Sequence, residues 1–317
     1  MIECADRVGI TCPASHSHCP IWACQISVLG DASEKFPARN TTSTYVTILP
    51  PNSNNSSMPG IVGTLRINIL DARIEKDNSL GEMLDTPDCY VRAEIQNKAG
   101  QTVKNRTKTK DNTYTPVFNE AIFVKNVSTS ETLYMSVWDS DTFSSDDEIA
   151  RTEVELSKVF GSRGGGNKTI SCDLRDKGSR GMLRVELTFV PQGSLDVLVQ
   201  RAEGLQADGE TPDPYCIVWF HGKKHKTDRK NNESSPVWNE KICLGSVDLQ
   251  DIKKGQFVFD ELTFSVMDHD KFSSDDKLAE AKITLEPLMS SCSVNLNLPL
   301  SRGKLYAQLQ FTPETTK

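Results

Sequence analysis

The chain has 317 residues, 25% of them charged, and a net charge of -7. It is long enough for two domains of ordinary size, and too acidic for a broad, sequence-independent nucleic-acid surface. It begins MIECADRVGI, without the cationic start and apolar run of a secretory leader, and no stretch reaches the ~18 apolar residues of a membrane span.

The expectation is therefore a cytoplasmic protein with reduced thiols. Nine cysteines are an odd number, and Cys89, Cys172, Cys216, Cys243 and Cys292 are scattered through the body without paired spacing. Residues 1–60 show no sustained periodicity and close on ILPPNSNNSSMPG, whose Pro, Asn, Ser and Gly content predicts a largely disordered tail and linker. Cys4, Cys12, Cys19 and Cys24 lie there with His16 and His18, but the spacing C-x7-C-x6-C-x4-C lacks the close cysteine pairs of common zinc modules. Disorder is preferred to a zinc site.

From Ile61 onward the pattern is that of half-buried strands. Apolar residues alternate in LRINIL (Leu65, Ile67, Ile69) and in MLRVELTFV (Leu183, Val185, Leu187, Phe189). These runs are short and are not interleaved with long helical patterns, which predicts an all-β chain of antiparallel sandwiches. The landmarks then repeat in order. GTLRINILDA, TPDCYV, TPVFNE, YMSVWDSDTFSSDDEIA and GMLRVELTFVP are followed by GSLDVLVQRA, TPDPYC, SPVWNE, FSVMDHDKFSSDDKLA and GKLYAQLQFTP. Five landmarks in one order mean two copies of one domain, at 61–191 and 192–317.

The run WDSDTFSSDDEIA, Trp138 to Ala150, has five carboxylates among its thirteen residues, and FSSDD recurs at 272–276. Carboxylates a few ångströms apart repel one another unless a cation stands between them. Calcium is suited to that place, because it takes six to eight oxygen ligands, mostly carboxylates and carbonyls from flexible loops. An EF-hand does not fit: counted from Asp139, its fifth, sixth and twelfth positions fall on Phe143, Ser144 and Ala150. A D-x-D phosphoryl-transfer nucleophile expects a small Thr or Val where Phe143 stands.

The aspartate before a PYV-like strand, the P-x-F/W-N-E segment and the D-x-D-x-F-S-x-D-D loop together resemble the C2 domain over roughly residues 61–315. The second copy is similar to the small single-domain elicitor-responsive and phloem proteins of plants. The resemblance implies two eight-stranded antiparallel β-sandwiches in tandem, in the second of the two circularly permuted topologies, with calcium held in loops at one end. It places ligands at Asp88, Asp139, Asp141 and Asp147, and at Asp213, Asp268, Asp270 and Asp276. A fifth ligand falls on Glu82 and Ala207 by the family's spacing. Asp208 is the expected substitute in the second copy. In the longer first loop Asp77, Glu82 and Asp85 are alternatives, and Asp85 is favoured.

Phe143 and Phe272 stand between ligand positions at a loop tip, where an aromatic has no core to join, so they are expected to enter a bilayer, with Met83 and Leu84 beside the first. Lys104, Arg106, Lys108 and Lys110 recur at every second position, which would set all four on one face of an extended strand. Lys224, Lys226 and Lys230 are their counterparts, on a face that Asp228 interrupts. Similar strands bind phosphoinositide headgroups.

The expected function is calcium-dependent peripheral binding to anionic phospholipid membranes at their cytoplasmic face, plasma membrane foremost, without catalysis. Two modules on one chain would gain from effective concentration and respond more steeply to calcium than either alone. The alternative is an adaptor for a protein or RNA, with calcium structural or dispensable. The acidic charge weighs against RNA.

Overall fold

The computed structural model describes residues 59–75, 86–161, 164–176 and 179–316. The first copy comprises β1 (Val62–Glu75), β2 (Cys89–Gln96), β3 (Thr102–Arg106), β4 (Val117–Ser128), β5 (Thr132–Asp139), β6 (Asp147–Glu155), a short helix α1 (Leu156–Phe160), β7 (Gly166–Asp176) and the first half of β8 (Ser179–Glu203). The second takes up the rest of β8, then β9 (Pro214–Phe220), β10 (Lys223–Lys226), β11 (Val237–Asp248), β12 (Gln250–Lys253), β13 (Gln256–Phe259), β14 (Glu261–Asp268), β15 (Asp276–Thr284), β16 (Ser293–Pro299) and β17 (Lys304–Pro313).

Every pairing is antiparallel, and the copies repeat one strand order. In the first, β4, β1, β8 and β7 are neighbours in one layer, while β3, β2, β5 and β6 form the other. A single pair, Arg151 with Arg175, joins the layers. In the second copy the matching layers are β11-β8-β17-β16 and β10-β9-β14-β15, with the β12–β13 hairpin added. Each copy therefore has the eight strands that the resemblance implies.

The alternating residues explain why the layers close. Leu65, Ile67 and Ile69 are fully buried, as are Leu183, Val185, Leu187 and Phe189. Burying each such side chain is worth about 1.5–3 kcal/mol. Two cores result, one from Ile61 to Phe189 and the other from Val190 to Phe311. The α1 residues Leu156 and Phe160 join the first, Phe160 tilted against Phe189 at 5.5 Å. Among the described residues, Cys89, Cys172, Cys216 and Cys243 are free thiols.

Two repeated landmarks acquire a backbone reason. Gly63 and Gly193 open the first strand of each copy where the next strand presses close, and a Cβ there would overlap the carbonyl oxygens of Val190 and Thr312. Asn119 and Asn239, in the VFNE and VWNE segments, take left-handed conformations at φ 53° and 52°. Both sit where the strand ladders shift register, between Ile69 and Asp71 and between Val237 and Glu240. Asn tolerates that conformation better than most residues. The glutamate that follows then reaches the neighbouring segment: Lys108 N donates to Glu120 Oε2 at 3.0 Å, and Asp228 N to Glu240 Oε2 at 3.0 Å.

Asn119→Ala should cost about 1–2 kcal/mol, the penalty for a Cβ-bearing residue in the left-handed region, and Asn119→Gly much less. Urea unfolding of the two variants checks this, and equal losses would show that the side chain rather than the backbone conformation matters.

Candidate metal centres

The strand ends gather the acidic residues. β2 begins one residue after Asp88, β5 ends on Asp139 and β6 begins on Asp147. The register sets Asp139 opposite both Cys89 and Asp147. In the second copy Asp268 lies opposite Pro214 and Asp276. Three strands thus deliver their carboxylates to one pole of each sandwich.

The same bonds hold both clusters. Asp88 N donates to Asp139 Oδ1 at 2.7 Å, and Asp213 N to Asp268 Oδ1 at 2.6 Å. Asn112 N donates to Asp88 Oδ1 at 2.8 Å, and Asn232 N to Asp213 Oδ1 at 2.7 Å. Ser140 N and His269 N donate to the Asp88 and Asp213 carbonyls. Burial pushes the Asp139 carboxyl above the usual carboxylate range; the Asp88 N–H opposes this, and the charges of Asp141, Asp88 and Asp147 add to the rise. Asp268 is only 7% exposed. Among the described residues no three His, Cys, Asp or Glu side chains already close around a point that would hold a metal ion. The donor set nonetheless fits a hard cation: its contributors are carboxylates, and repulsion among them raises the cost of ionising Asp139.

Sequence reasoning left Asp146 without a role, and the structure supplies one. Tyr90 Oη donates to Asp146 Oδ2 at 2.7 Å, and Asp141 N to Asp146 Oδ1 at 3.2 Å. Tyr215 Oη donates to Asp275 Oδ2 at 2.6 Å, and Asp270 N to Asp275 Oδ1 at 3.3 Å. His269 Nδ1 lies 2.9 Å from the same carboxylate. The phenol's hydrogen bond is the foremost cause holding Asp146 and Asp275 below the ordinary carboxylate range. Burial and then Asp275 push Tyr215 up to about 12. The first of the two adjacent aspartates is thus a latch that ties the loop to β2 or β9. Its signal was available in the sequence: each copy carries a tyrosine two residues after the T-P-D aspartate together with the doubled Asp.

Several expected residues are placed differently from the sequence reading. Asp208 reaches Arg302 Nη1 at 2.8 Å and is almost wholly exposed, so here it serves a surface ion pair rather than the other four carboxylates. Asp85, Met83 and Leu84, with Asp77 and Glu82, lie outside the described residues. β3 ends at Arg106, so Lys108 and Lys110 fall beyond it, and the four cations do not share one strand face. The chain leaves the strand because Thr107 turns its hydroxyl inward to accept from Val91 N, and Lys110 pairs with Cys89 through its backbone. Lys104 is bonded to Glu94 at 2.9 Å, and Arg106 lies over the Tyr90 ring with Asp146 at 3.8 Å. Glu148, the other acid without a role, pairs with Arg151 at 2.8 Å. In the second copy β10 ends at Lys226, before Asp228, so that acid does not interrupt the strand. Lys224 stands over Trp219 and Lys226 over Tyr215, and among the described residues neither is ion-paired.

Phe143 and Phe272 do not fold back on their loops. Their exposures are 102% and 101%, the highest among the described large apolar residues.

The C2 domain model matches residues 63–171 and 193–300. Synaptotagmin-1 of Caenorhabditis elegans is 31% identical over 231 residues, covering 68% of this chain and 50% of that protein. Protein C2-DOMAIN ABA-RELATED 11 of Arabidopsis thaliana is 32% identical over 115 residues, covering 36% of this chain and 64% of that one. A solved, calcium-bound structure of two C2 domains of Extended-Synaptotagmin 2 is 18% identical, covers 82% of this chain and all of that one, and has a TM-score of 0.33. The chain spans about half the length of the synaptotagmin relatives it matches.

Tyr90→Phe and Asp146→Asn should each speed amide exchange across residues 139–147 while the β1 and β8 amides stay protected. Hydrogen exchange followed by mass spectrometry measures this, and unchanged exchange in the loop would mean that the latch restrains nothing.

Proposed function

Because the chain belongs to the C2 domain family and carries the domain twice, we propose that it is a non-catalytic protein that docks on anionic phospholipid bilayers when calcium fills its two loop sites. The observation that carries this reading is the pair of fully exposed phenylalanines, each set between carboxylates at the same pole of its sandwich. An exposed aromatic in an acidic loop has no folded-state partner, and an acidic loop alone is repelled by an anionic surface.

Asp88, Asp139, Asp141 and Asp147 would hold the ion in the first copy, and Asp213, Asp268, Asp270 and Asp276 in the second. Bound calcium would supply positive charge at the tip and coordination positions for lipid phosphate oxygens. The chain's own part is threefold. The backbone N–H groups of Asp88, Asn112, Asp213 and Asn232 hold the carboxylates at the strand ends. Asp146 and Asp275 anchor the loops to the sheet. Phe143 and Phe272 enter the headgroup region, each contributing about 1.5–3 kcal/mol if fully buried.

For phosphoinositide contact the second copy is better supplied than the first, because Lys224 and Lys226 lie along Trp219 and Tyr215 while Lys104 and Arg106 already face carboxylates. Recruitment to the cytoplasmic face of a membrane, the division at 191/192 and a tail before residue 61 belong to the same proposal. Among the described residues no helix is long and apolar enough to cross a membrane.

Co-sedimentation with phosphatidylserine-containing liposomes, in calcium and in chelator, tests the reading. Wild type should pellet only in calcium, and Asp139→Asn/Asp141→Asn combined with Asp268→Asn/Asp270→Asn should remain in the supernatant. Equal pelleting in chelator would sink the switch. Phe143→Ser with Phe272→Ser should weaken partitioning about tenfold or more with calcium binding retained.

A further inference from the structure

The two copies are not linked by a hinge. Strand β8 runs unbroken through 25 residues from the first sandwich into the second. Its ladders continue to the boundary: Pro191 pairs with Gly63, Gln192 with Asp248 and Gly193 with Pro313. The strand changes partners there without an unpaired residue: the β1 ladder ends at Pro191, the β11 ladder begins at Gln192 and the β17 ladder at Gly193.

Further contacts clamp the boundary. Val62 N donates to Glu314 O, Thr316 N to Gly60 O and Glu314 N to Gln192 O, each at 2.8 Å. Glu314 also takes an ion pair from Lys98 and a hydrogen bond from Gln192 Nε2. Phe123 of β4 meets Phe257 of β13 edge to face at 5.4 Å. The segment that ends the second sandwich is thus stitched to the residues that begin the first.

The polarity of β8 then decides where the ligand loops lie. Arg180, near its start, pairs with Glu75, at the end of β1 that leads to the first copy's ligand loop. Glu203, at its finish, pairs with Lys304 and leads to Asp213. The two carboxylate poles therefore stand at opposite ends of one strand, with the butt ends of the sandwiches together between them. A 25-residue strand spans at most about 80 Å at ~3.3 Å per residue. Phe143 and Phe272 stand exposed at these opposite poles, and a flat bilayer that receives one tip does not receive the other. The gain in effective concentration expected for two modules on one membrane is thereby lost.

The geometry points to a membrane bridge: in calcium each pole docks on a separate anionic bilayer, so that one chain holds two apposed membranes at a spacing set by β8. This rests on the lipid-binding reading above and adds to it a second membrane.

Dynamic light scattering of phosphatidylserine-containing vesicles, run beside co-sedimentation on the same samples, separates the two ideas. Wild type should cluster vesicles in calcium, and chelator should reverse it. Asp139→Asn/Asp141→Asn alone and Asp268→Asn/Asp270→Asn alone should each still co-sediment yet lose clustering at least tenfold. Phe143→Ser alone and Phe272→Ser alone, at fully exposed positions where folding is not at stake, should do the same. Co-sedimentation of wild type without clustering would overturn the bridge and leave the binding reading standing. Clustering that survives in the single-pole variants would also overturn it, by showing that chains associate with one another. Loss of calcium-dependent co-sedimentation in wild type would remove both.

Discussion

Strand β8 is shared by two sandwiches, and its hydrogen-bond ladders govern the rest of the molecule. Its first half pairs with β1 and β7 and its second half with β11 and β17, and the partners change over at Val190, Pro191 and Gln192. Phe189 belongs to the first core and Val190 to the second, so neighbouring residues on one backbone serve separate interiors. The chain passes between domains without a loop, and the orientation of each domain is inherited by the other.

At the far end of each sandwich the constraint is charge. Strand register brings carboxylates together that would separate if the loops were free, and the backbone holds them there by donating N–H groups to Asp88, Asp139, Asp213 and Asp268. The Asp146 and Asp275 latches add a tether from within the loop to the sheet. Fixing a charged group before its counterion arrives raises its energy and lowers the ordering cost of binding. Asp139, raised above the ordinary carboxylate range by burial and by its neighbours, records the first half of that balance.

The copies share this machinery and differ beside it. In the first, Arg92 lies 4.0 Å from the centre of the Trp138 ring and Arg106 over Tyr90, so the basic strand leans on its own sheet and on Asp146. In the second, Ile217 stands opposite Ser265 as Arg92 stands opposite Ser136, and Lys224 and Lys226 have aromatic neighbours but no ion pair among the described residues. Matching carboxylate clusters are thus joined to unequal outer faces.

Local pattern was enough for much of this. Alternation in LRINIL and MLRVELTFV determined which residues are buried, because a strand's faces follow from a period of two whatever the partner. The repeated landmarks determined that there are two sandwiches, and the D-x-D and T-P-D spacings determined eight acidic positions that the strand ends then carry to two poles. Contacts between residues far apart in the chain were decided only by the tertiary structure. That Tyr90 is bonded to Asp146 depends on a chain separation of 56 residues closing to one place. That Asp208 meets Arg302, and that the Lys104 strand stops at Arg106, likewise depended on what surrounds them. The opposed poles were decided last, because alternation is blind to direction: it states that Leu187 and Val197 are both buried, and only the continuous strand through Pro191 and Gln192 states that the sandwiches they fill stand end to end.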